Sequence, residues 1–267
     1  MSNNATHRRQ NLSEACVPRS AAQRLLESVV AIGNGPSTLA ERRRAFLTVL
    51  TELLDADAGQ WGWGHGTPSA QTVIPIATID VGLSHAQRAS IVAWSFGPDA
   101  DPLFHARVHA RRENQTWVTS RQQDIFPNAE WRTRPLMRQH LERAGLDCWL
   151  HSIRYSTAET WSTFVFYRKI GRDPFNPWHA ELADLAMSSI AWMHSTGEEV
   201  PSPETFVDLK PRQRTVMLML LDGLTRKTIA EQLGITEHTV GDHIKAIYNH
   251  FRVRSATELA ALFLRGK

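Results

Sequence analysis

The sequence predicts two domains of different fold class: an α+β domain with an antiparallel sheet flanked by helices, and an all-α domain of four helices. The 267-residue length favours two domains over one. Residues 146–156 and 160–168 alternate between two side-chain sets, which indicates paired strands. Residues 209–264 instead repeat apolar residues at helical spacing.

Composition divides the chain into four segments. Residues 1–16 are polar, and we expect a flexible N-terminus that is not a signal peptide because it has no apolar core. Residues 196–208 contain one glycine and two prolines and are predicted to be a linker. The predicted domains are therefore residues 17–195 and 209–267.

The elements of the first domain are predicted from helix caps and strand alternation. Ser37, Ser84 and Asp101 are predicted N-caps, and Gly145 is predicted to end a helix. We interpret three consecutive arginines at 42–44 as a solvated helix face. In chain order we predict helices at 17–32 and 37–54, strands at 59–65 and 72–80, helices at 84–96 and 101–112, a short strand at 116–119, a helix at 128–143, paired strands at 146–156 and 160–168, and a helix at 176–194.

The cysteines and histidines of the sequence, and the catalytic motifs that it lacks, argue against a metal site, a cofactor and enzymatic activity. Cys16 and Cys148 have no companion ligands, and Cys148 is predicted to be a small buried residue. The twelve histidines are scattered along the chain, which predicts no metal cofactor, and no phosphate loop or nucleophile motif is present. No apolar run approaches the roughly 18 residues of a membrane helix. We therefore expect a cytoplasmic protein.

Positive charge is concentrated in the second domain. Residues 209–267 contain ten Lys or Arg and five Asp or Glu, whereas the rest of the chain is slightly acidic. A local basic excess is typical of a nucleic-acid-binding domain, although a solvated basic face has the same composition.

The second domain contains a predicted helix-turn-helix. Gly234 stands where a left-handed residue would end the first helix of the pair, and Thr236 is the predicted N-cap of the second. The second helix has two faces, and its polar face suits either a DNA major groove or plain solvent. Its apolar stripe is Val240, Ile244, Ile247 and Phe251, and its polar stripe is His238, Gly241, Asp242, Lys245 and Asn249.

The order of residues in this segment resembles the C-terminal domain of LuxR-type transcription regulators. The resemblance implies a four-helix domain that binds double-stranded DNA as a homodimer, with the third helix in the major groove. The matching stretches are LKPRQR from Leu209, Gly223-Leu224-Thr225, Ile229-Ala230, Leu233-Gly234-Ile235-Thr236, His238-Thr239-Val240, His243 and Val253-Arg254-Ser255.

DNA contacts are expected from eight residues. Lys245 can reach a guanine edge or a phosphate, and Asp242 can accept from a cytosine amino group. Thr239 and His243 match the family motif, which implies that they position the helix against the backbone; His243 is also suited to packing in the core. The basic residues expected to contact phosphates near helix starts are Lys210, Arg212, Arg226 and Lys227.

Two positions depart from the pattern of the family. Gly241 stands where the family usually has Lys or Arg, and Asp242 stands where it usually has an apolar residue. Losing a cation and gaining an anion weakens the sequence-independent part of DNA binding. We therefore expect either weak binding that needs dimerisation or a target site that differs from the family norm.

The fourth helix is predicted to begin with a capping box formed by Ser255 and Glu258. Its apolar residues are Leu259, Leu262 and Phe263. Some of them are expected to pack in the core of the domain, and those left exposed would form the dimer face. A dimer would bind two half-sites about one helical turn apart, so we expect a roughly palindromic operator.

The first domain resembles GAF-like and PAS-like sensor folds and the autoinducer-binding domain of LuxR regulators in its order of elements. Asp101-Pro102 followed by Trp117 is similar to a pattern in acyl-homoserine-lactone sensors, where the Asp binds the amide and the Trp binds the lactone carbonyl. Arg88 and Val92 stand where those sensors have Trp and Tyr, so we expect a different small-molecule effector. The candidate ligand contacts are Trp94, Asp101 and Trp117, although tryptophans at this density more commonly form a core.

Two other functions fit parts of the sequence. A sensor that acts through protein partners, with a degenerate DNA module, is favoured by Gly241 and Asp242. A sigma-factor-like module has a similar helix-turn-helix, but it requires a basic, aromatic helical region upstream, where this chain is α+β and slightly acidic.

Overall fold

The computed structural model of the chain describes residues 16–35, 38–65, 74–84, 86–88, 90–91, 102–111, 116–155, 160–194, 209–221 and 223–264. The helices are α1 (Arg19–Gly33), α2 (Leu39–Leu53), α3 (Pro102–Ala110), α4 (Gln122–Ile125), α5 (Pro135–Arg143), α6 (Pro177–Ser189), α7 (Pro211–Leu221), α8 (Arg226–Leu233), α9 (Glu237–Phe251) and α10 (Ala256–Leu264). The strands are β1 (Ala58–His65), β2 (Ile74–Val81), β3 (Trp117–Arg121), β4 (Leu146–Tyr155) and β5 (Thr160–Lys169), and 3₁₀ turns cover Pro127–Thr133 and Ala191–His194.

The five strands form one antiparallel sheet in the order β2-β1-β5-β4-β3. Helices pack on both of its faces, and the last four helices pack on one another as an all-α unit. The predicted fold class, an α+β domain followed by a four-helix domain, is therefore confirmed.

Strand register assigns each side chain to one face of the sheet, because directly opposed residues share a face. The face covered by α2 and α6 is called the α2 face, and the one covered by α3 and α5 is called the α3 face. One row on the α2 face is Trp61, Phe164, Ser152 and Thr119, and the neighbouring row on the α3 face is Gln60, Val165, His151 and Ser120.

Helix ends follow local chemistry, with three departures from the predictions. The helix predicted at 176–194 ends at Ser189 and is followed by a separate 3₁₀ turn. Helix α2 begins at the N-cap Thr38, whose hydroxyl and the Glu41 carboxylate form a capping box; the predicted cap, Ser37, lies outside the described residues. The predicted helix 128–143 is divided into a 3₁₀ turn and α5. The reason is Pro135, which lacks an N–H and disfavours helical backbone at the residue before it.

The interpretation of the arginine run at 42–44 as a solvated face is wrong for Arg43. Its guanidinium carbon lies 4.1 Å from the centre of the Trp61 ring, and the residue is buried. Burial lowers the pKa of Arg43 to about 10. Arg44 donates to the backbone oxygen of Asp80, so this part of α2 holds the sheet through cation–π and hydrogen-bond contacts.

The remaining sequence expectations for this domain concern Cys148 and membrane helices. Cys148 is buried with a free thiol, as predicted, and burial raises its thiol pKa to about 11. None of the helices in the described part of the chain is long and apolar enough to cross a membrane.

Substituting Gly59 with Ala is expected to destabilise the first domain by about 1–3 kcal/mol, because the new methyl group overpacks a filled core. A Cβ at position 59 would clash with Thr51 Oγ1 and would lie 3.2 Å from Leu47 Cδ1. Gly33→Ala is the matched control, since nothing lies within 4 Å of its Cβ position. Equal denaturation midpoints for the two variants would contradict this account of the β1–α2 contact.

Stability of the first domain is expected to fall as pH is lowered from 6.5 to 4. His194 accepts a hydrogen bond from Ser162 at Nδ1 and lies against the Met187 carbonyl at Nε2. Burial lowers the pKa of His194, and also that of His179, to about 4. The unfolded chain therefore binds more protons in this window, and each histidine can remove on the order of 3 kcal/mol.

Denaturant unfolding at a series of pH values measures this effect. His194→Gln keeps one donor and one acceptor but cannot titrate, so its stability should change less between pH 6.5 and 4. His238→Gln, at an exposed site in the second domain, should lose as much stability between pH 6.5 and 4 as the native chain does. Equal pH profiles for the native chain and His194→Gln would contradict the assignment.

Candidate nucleic-acid interface

The ends of α8 and the start of α9 are fixed by three residues. Thr225 caps α8 by accepting from the Thr228 amide at 3.2 Å, and Thr236 caps α9 by accepting from the Thr239 amide at 3.1 Å. Gly234 ends α8 with φ 63°, a left-handed conformation that glycine adopts without steric cost. The predicted roles of Gly234 and Thr236 are confirmed, and they set the direction of α9.

Helix α9 buries one stripe and exposes the opposite one. Val240, Ile244, Ile247 and Phe251 are all buried. With about 100° of rotation per residue, the side chains centred opposite them form what we call the exposed stripe. The exposed stripe consists of His238, Asp242, Lys245 and Asn249, each of which is exposed.

The two charged residues of opposite sign on this stripe have different surroundings. Asp242 Oδ2 lies 3.3 Å from His238 Nδ1, one helical turn away. Lys245 makes no ion pair with any described residue. The exposed stripe therefore presents Lys245 as a cation available to bind a ligand, while Asp242 is turned towards His238.

One flank of the exposed stripe carries His243 with two cations near it. Burial lowers the pKa of His243, and Arg212 and Lys210 lower it further, while Asp242 acts in the opposite direction. Arg212 donates to the Leu233 carbonyl at 2.8 Å and so holds the C-terminal end of α8. His243 is half-buried, so the structure brings Lys210, Arg212 and His243 together beside α9.

The other flank carries Gly241 and Tyr248, with Arg226 over them. Arg226 Nη1 lies 3.5 Å from the position that a Cβ on Gly241 would occupy. Burial raises the pKa of the Tyr248 phenol, and Arg226 opposes that rise. Lys227, the next residue of α8, is exposed.

The remaining predicted DNA contact, Thr239, has a structural role in the cap of α9. Its hydroxyl lies 2.9 Å from that of Thr236, and the residue is half-buried. A contact from Thr239 to a phosphate stays a prediction.

The candidate dimer residues divide into one that lies in the core and two that are not described. Leu259 is fully buried, so it packs inside the four-helix domain and offers no surface for a partner. The side chains of Leu262 and Phe263 lie outside the described residues. The predicted capping box is modified: Ser255 accepts from the Glu258 amide, but Glu258 accepts from Arg254.

Of the three candidate ligand residues, Trp117 is the one that the structure describes. Trp94 and Asp101 lie outside the described residues. Trp117 lies on the α2 face and donates through Nε1 to Asp184 of α6 at 3.4 Å. Helix α3, which begins directly after Asp101, packs on the opposite face, where Phe104 contacts Trp149 and His151.

No group of three or more His, Cys, Asp or Glu side chains able to hold a metal ion occurs among the described residues. Sequence reasoning assigned no role to Tyr248, although helical spacing from Gly241 places both residues on one flank. It also could not find the contact between Arg226 and Gly241, which depends on how α8 packs on α9.

Comparison with known proteins identifies relatives of the four-helix domain. Residues 208–263 match the family of bacterial regulatory proteins described as the luxR family. The transcriptional regulatory protein LnrK of Bacillus subtilis (strain 168) is 39% identical over 67 residues, which cover 25% of this chain and 30% of LnrK. The match thus spans less than a third of that relative.

Solved structures with partial similarity cover more of the chain. SdiA in complex with octanoyl-rac-glycerol is 16% identical, with a TM-score of 0.40 over 92% of this chain and 95% of that one. Escherichia coli SdiA in the space group P6522 is 17% identical, with a TM-score of 0.39 over 89% of this chain and 94% of that one.

Proposed function

We propose that this chain, whose C-terminal domain belongs to the luxR family of bacterial regulatory proteins, binds double-stranded DNA and regulates transcription in response to an effector bound by the first domain. The observation that carries the proposal is the exposed stripe of α9, which has cations on both flanks. A convex helix of this kind fits the major groove, where side chains reach base edges and flanking cations reach phosphates.

The geometry of the domain supports different roles for the residue that contacts a base and for those that contact the backbone. Lys245 is at the centre of the exposed stripe and contacts a base edge. Lys210, Arg212, Arg226 and Lys227 surround the stripe and carry the sequence-independent attraction to the backbone. The local basic excess of residues 209–267 acts in the same direction.

Two copies of the chain bind DNA together in this proposal. Each copy occupies one half-site, and the half-sites form a roughly palindromic operator about one helical turn apart. Leu262 and Phe263 of the last helix are the proposed dimer contacts, while Leu259 is assigned to the domain core because it is fully buried.

The effector of the first domain is a small molecule that binds on the α3 face of the sheet. This face carries buried polar side chains within an apolar surround, a combination typical of ligand sites. Beneath it β1 contributes glycines at 62 and 64, which leave that part of the strand without side chains. The buried polar residues are Gln60, Ser120, His151 and Thr163.

Substituting Lys245 with Ala is expected to lower discrimination at one base pair of each half-site by roughly 1–3 kcal/mol, because a base-edge contact is lost. Operator sequences are first selected with the full chain from a random duplex library. Mobility-shift titrations on the selected site and its single-base variants then compare the native chain with Lys245→Ala. Arg254→Ala is the charge-matched control outside the exposed stripe, and it should keep the base preferences.

Two results would count against this part of the proposal. Unchanged base preferences in Lys245→Ala would show that α9 does not read the site through Lys245. Selection of single half-sites, with no repeated motif, would count against the dimer and the palindromic operator.

Purified full chain is expected to carry a small molecule that native mass spectrometry detects. His151→Leu should reduce its occupancy, because it removes a buried polar group on the α3 face. Trp117→Phe should leave occupancy unchanged, because Trp117 donates to Asp184 on the α2 face. Loss of the ligand in Trp117→Phe, with retention in His151→Leu, would instead place the site at the acyl-homoserine-lactone pattern. Circular dichroism checks that both variants are folded.

A further inference from the structure

Gly241 is unfavourable for the helix in which it lies. It is the fifth residue of α9, within a continuous helix from Glu237 to Phe251. An interior glycine costs a helix about 0.5–1 kcal/mol relative to alanine. It also leaves a gap among the side chains next to the exposed stripe, in the N-terminal half of the helix, where recognition helices contact base edges.

The guanidinium of Arg226 fills that gap. Its Nη1, Cζ and Nε atoms lie 3.5, 3.6 and 3.9 Å from the position of a Cβ on Gly241, so the whole planar group rests against the helix surface. These distances place it where the outer atoms of a longer side chain at position 241 would lie. An arginine from α8 thus replaces the missing side chain of α9.

The donors of Arg226 are available to an acceptor outside the domain. The residue is exposed, and its guanidinium makes no hydrogen bond or ion pair with the part of the chain that the structure describes. It also stands in the first turn of α8, which contains no acidic residue. A cation is disfavoured at a helix N-terminus, and an external acceptor removes part of that cost.

We propose that Arg226, seated on Gly241, is a specificity-determining residue that donates two hydrogen bonds to a guanine edge in the major groove. The inference rests on the proposed function and deepens it, because it moves Arg226 from the backbone-contacting cations to the base-reading groups. The planar fork of arginine matches the O6 and N7 acceptors of guanine, which lysine cannot engage in the same way. The reading surface is therefore built from two helices.

Four variants of the full chain test this assignment on the selected operator and its single-base variants. Arg226→Ala removes the guanidinium, and Arg226→Lys keeps the charge without the fork. The leucine side chain in Gly241→Leu fills the space where the Arg226 guanidinium lies. Gly241→Ala adds only a methyl group at ordinary contact distance and serves as the matched control.

The expected result is a loss of preference for guanine at one base pair of each half-site. Arg226→Ala, Arg226→Lys and Gly241→Leu should each reduce that preference by roughly 5- to 150-fold, while preferences at other positions stay unchanged. Gly241→Ala should keep the guanine preference.

Three results would overturn the inference. A uniform loss of affinity across all sequences in Arg226→Ala would mean that the residue contacts a phosphate only. Full guanine preference in Gly241→Leu would show that the contact between Arg226 and Gly241 is irrelevant to base recognition. Absence of any duplex binding by the native chain would overturn the proposed function itself, and this outcome is distinguished because it appears before any substitution is made.

A measurement without DNA tests the position of the Arg226 guanidinium against Gly241 separately. Arg226 opposes the rise in the pKa of Tyr248, so Arg226→Ala and Gly241→Leu should both move the alkaline titration of this half-buried phenol to higher pH. Gly241→Ala should leave that titration unchanged. An unchanged titration in Arg226→Ala would show that the guanidinium does not rest there and would overturn the inference whatever the DNA results.

Discussion

Burial of one stripe of α9 is the interaction on which the candidate interface depends. Val240, Ile244, Ile247 and Phe251 are removed from solvent, and each such burial contributes about 1.5–3 kcal/mol. Because helical geometry fixes the angle between residues, this burial leaves one orientation for the remaining side chains. The exposed stripe faces outward as a direct consequence, and the flanking contacts are set by the same rotation.

The charge distribution around α9 follows from packing between helices more than from α9 itself. Alone, the exposed stripe has one lysine, one aspartate and a histidine paired with it. Its positive character comes from α7, whose Arg212 lies near His243, and from α8, whose Arg226 lies over Gly241. A charge count on α9 alone therefore underestimates the positive potential that a duplex would encounter.

Sequence reasoning succeeded where one local rule decides the outcome. Strand alternation located the paired strands β4 and β5 to within one residue, and the left-handed Gly234 and the Thr236 cap were identified from residue type alone. It failed where two rules compete. The helix predicted at 128–143 ignored the effect of Pro135 on its neighbours, and the choice of Ser37 overlooked that Glu41 follows Thr38 at the three-residue spacing of a capping box.

The remaining failures of prediction come from tertiary contacts, and these contacts also bear on where the proposed effector would bind. Arg43 is buried because its guanidinium packs against the Trp61 ring. Trp117 donates a hydrogen bond to Asp184 because β3 packs against α6. A linear pattern of Asp101, Pro102 and Trp117 cannot show that β3 carries Trp117 to one face of the sheet while α3, which begins at Pro102, lies on the other. Since side chains on opposite faces cannot line one cavity, a ligand held beneath α3 would meet Trp149 and His151 rather than Trp117.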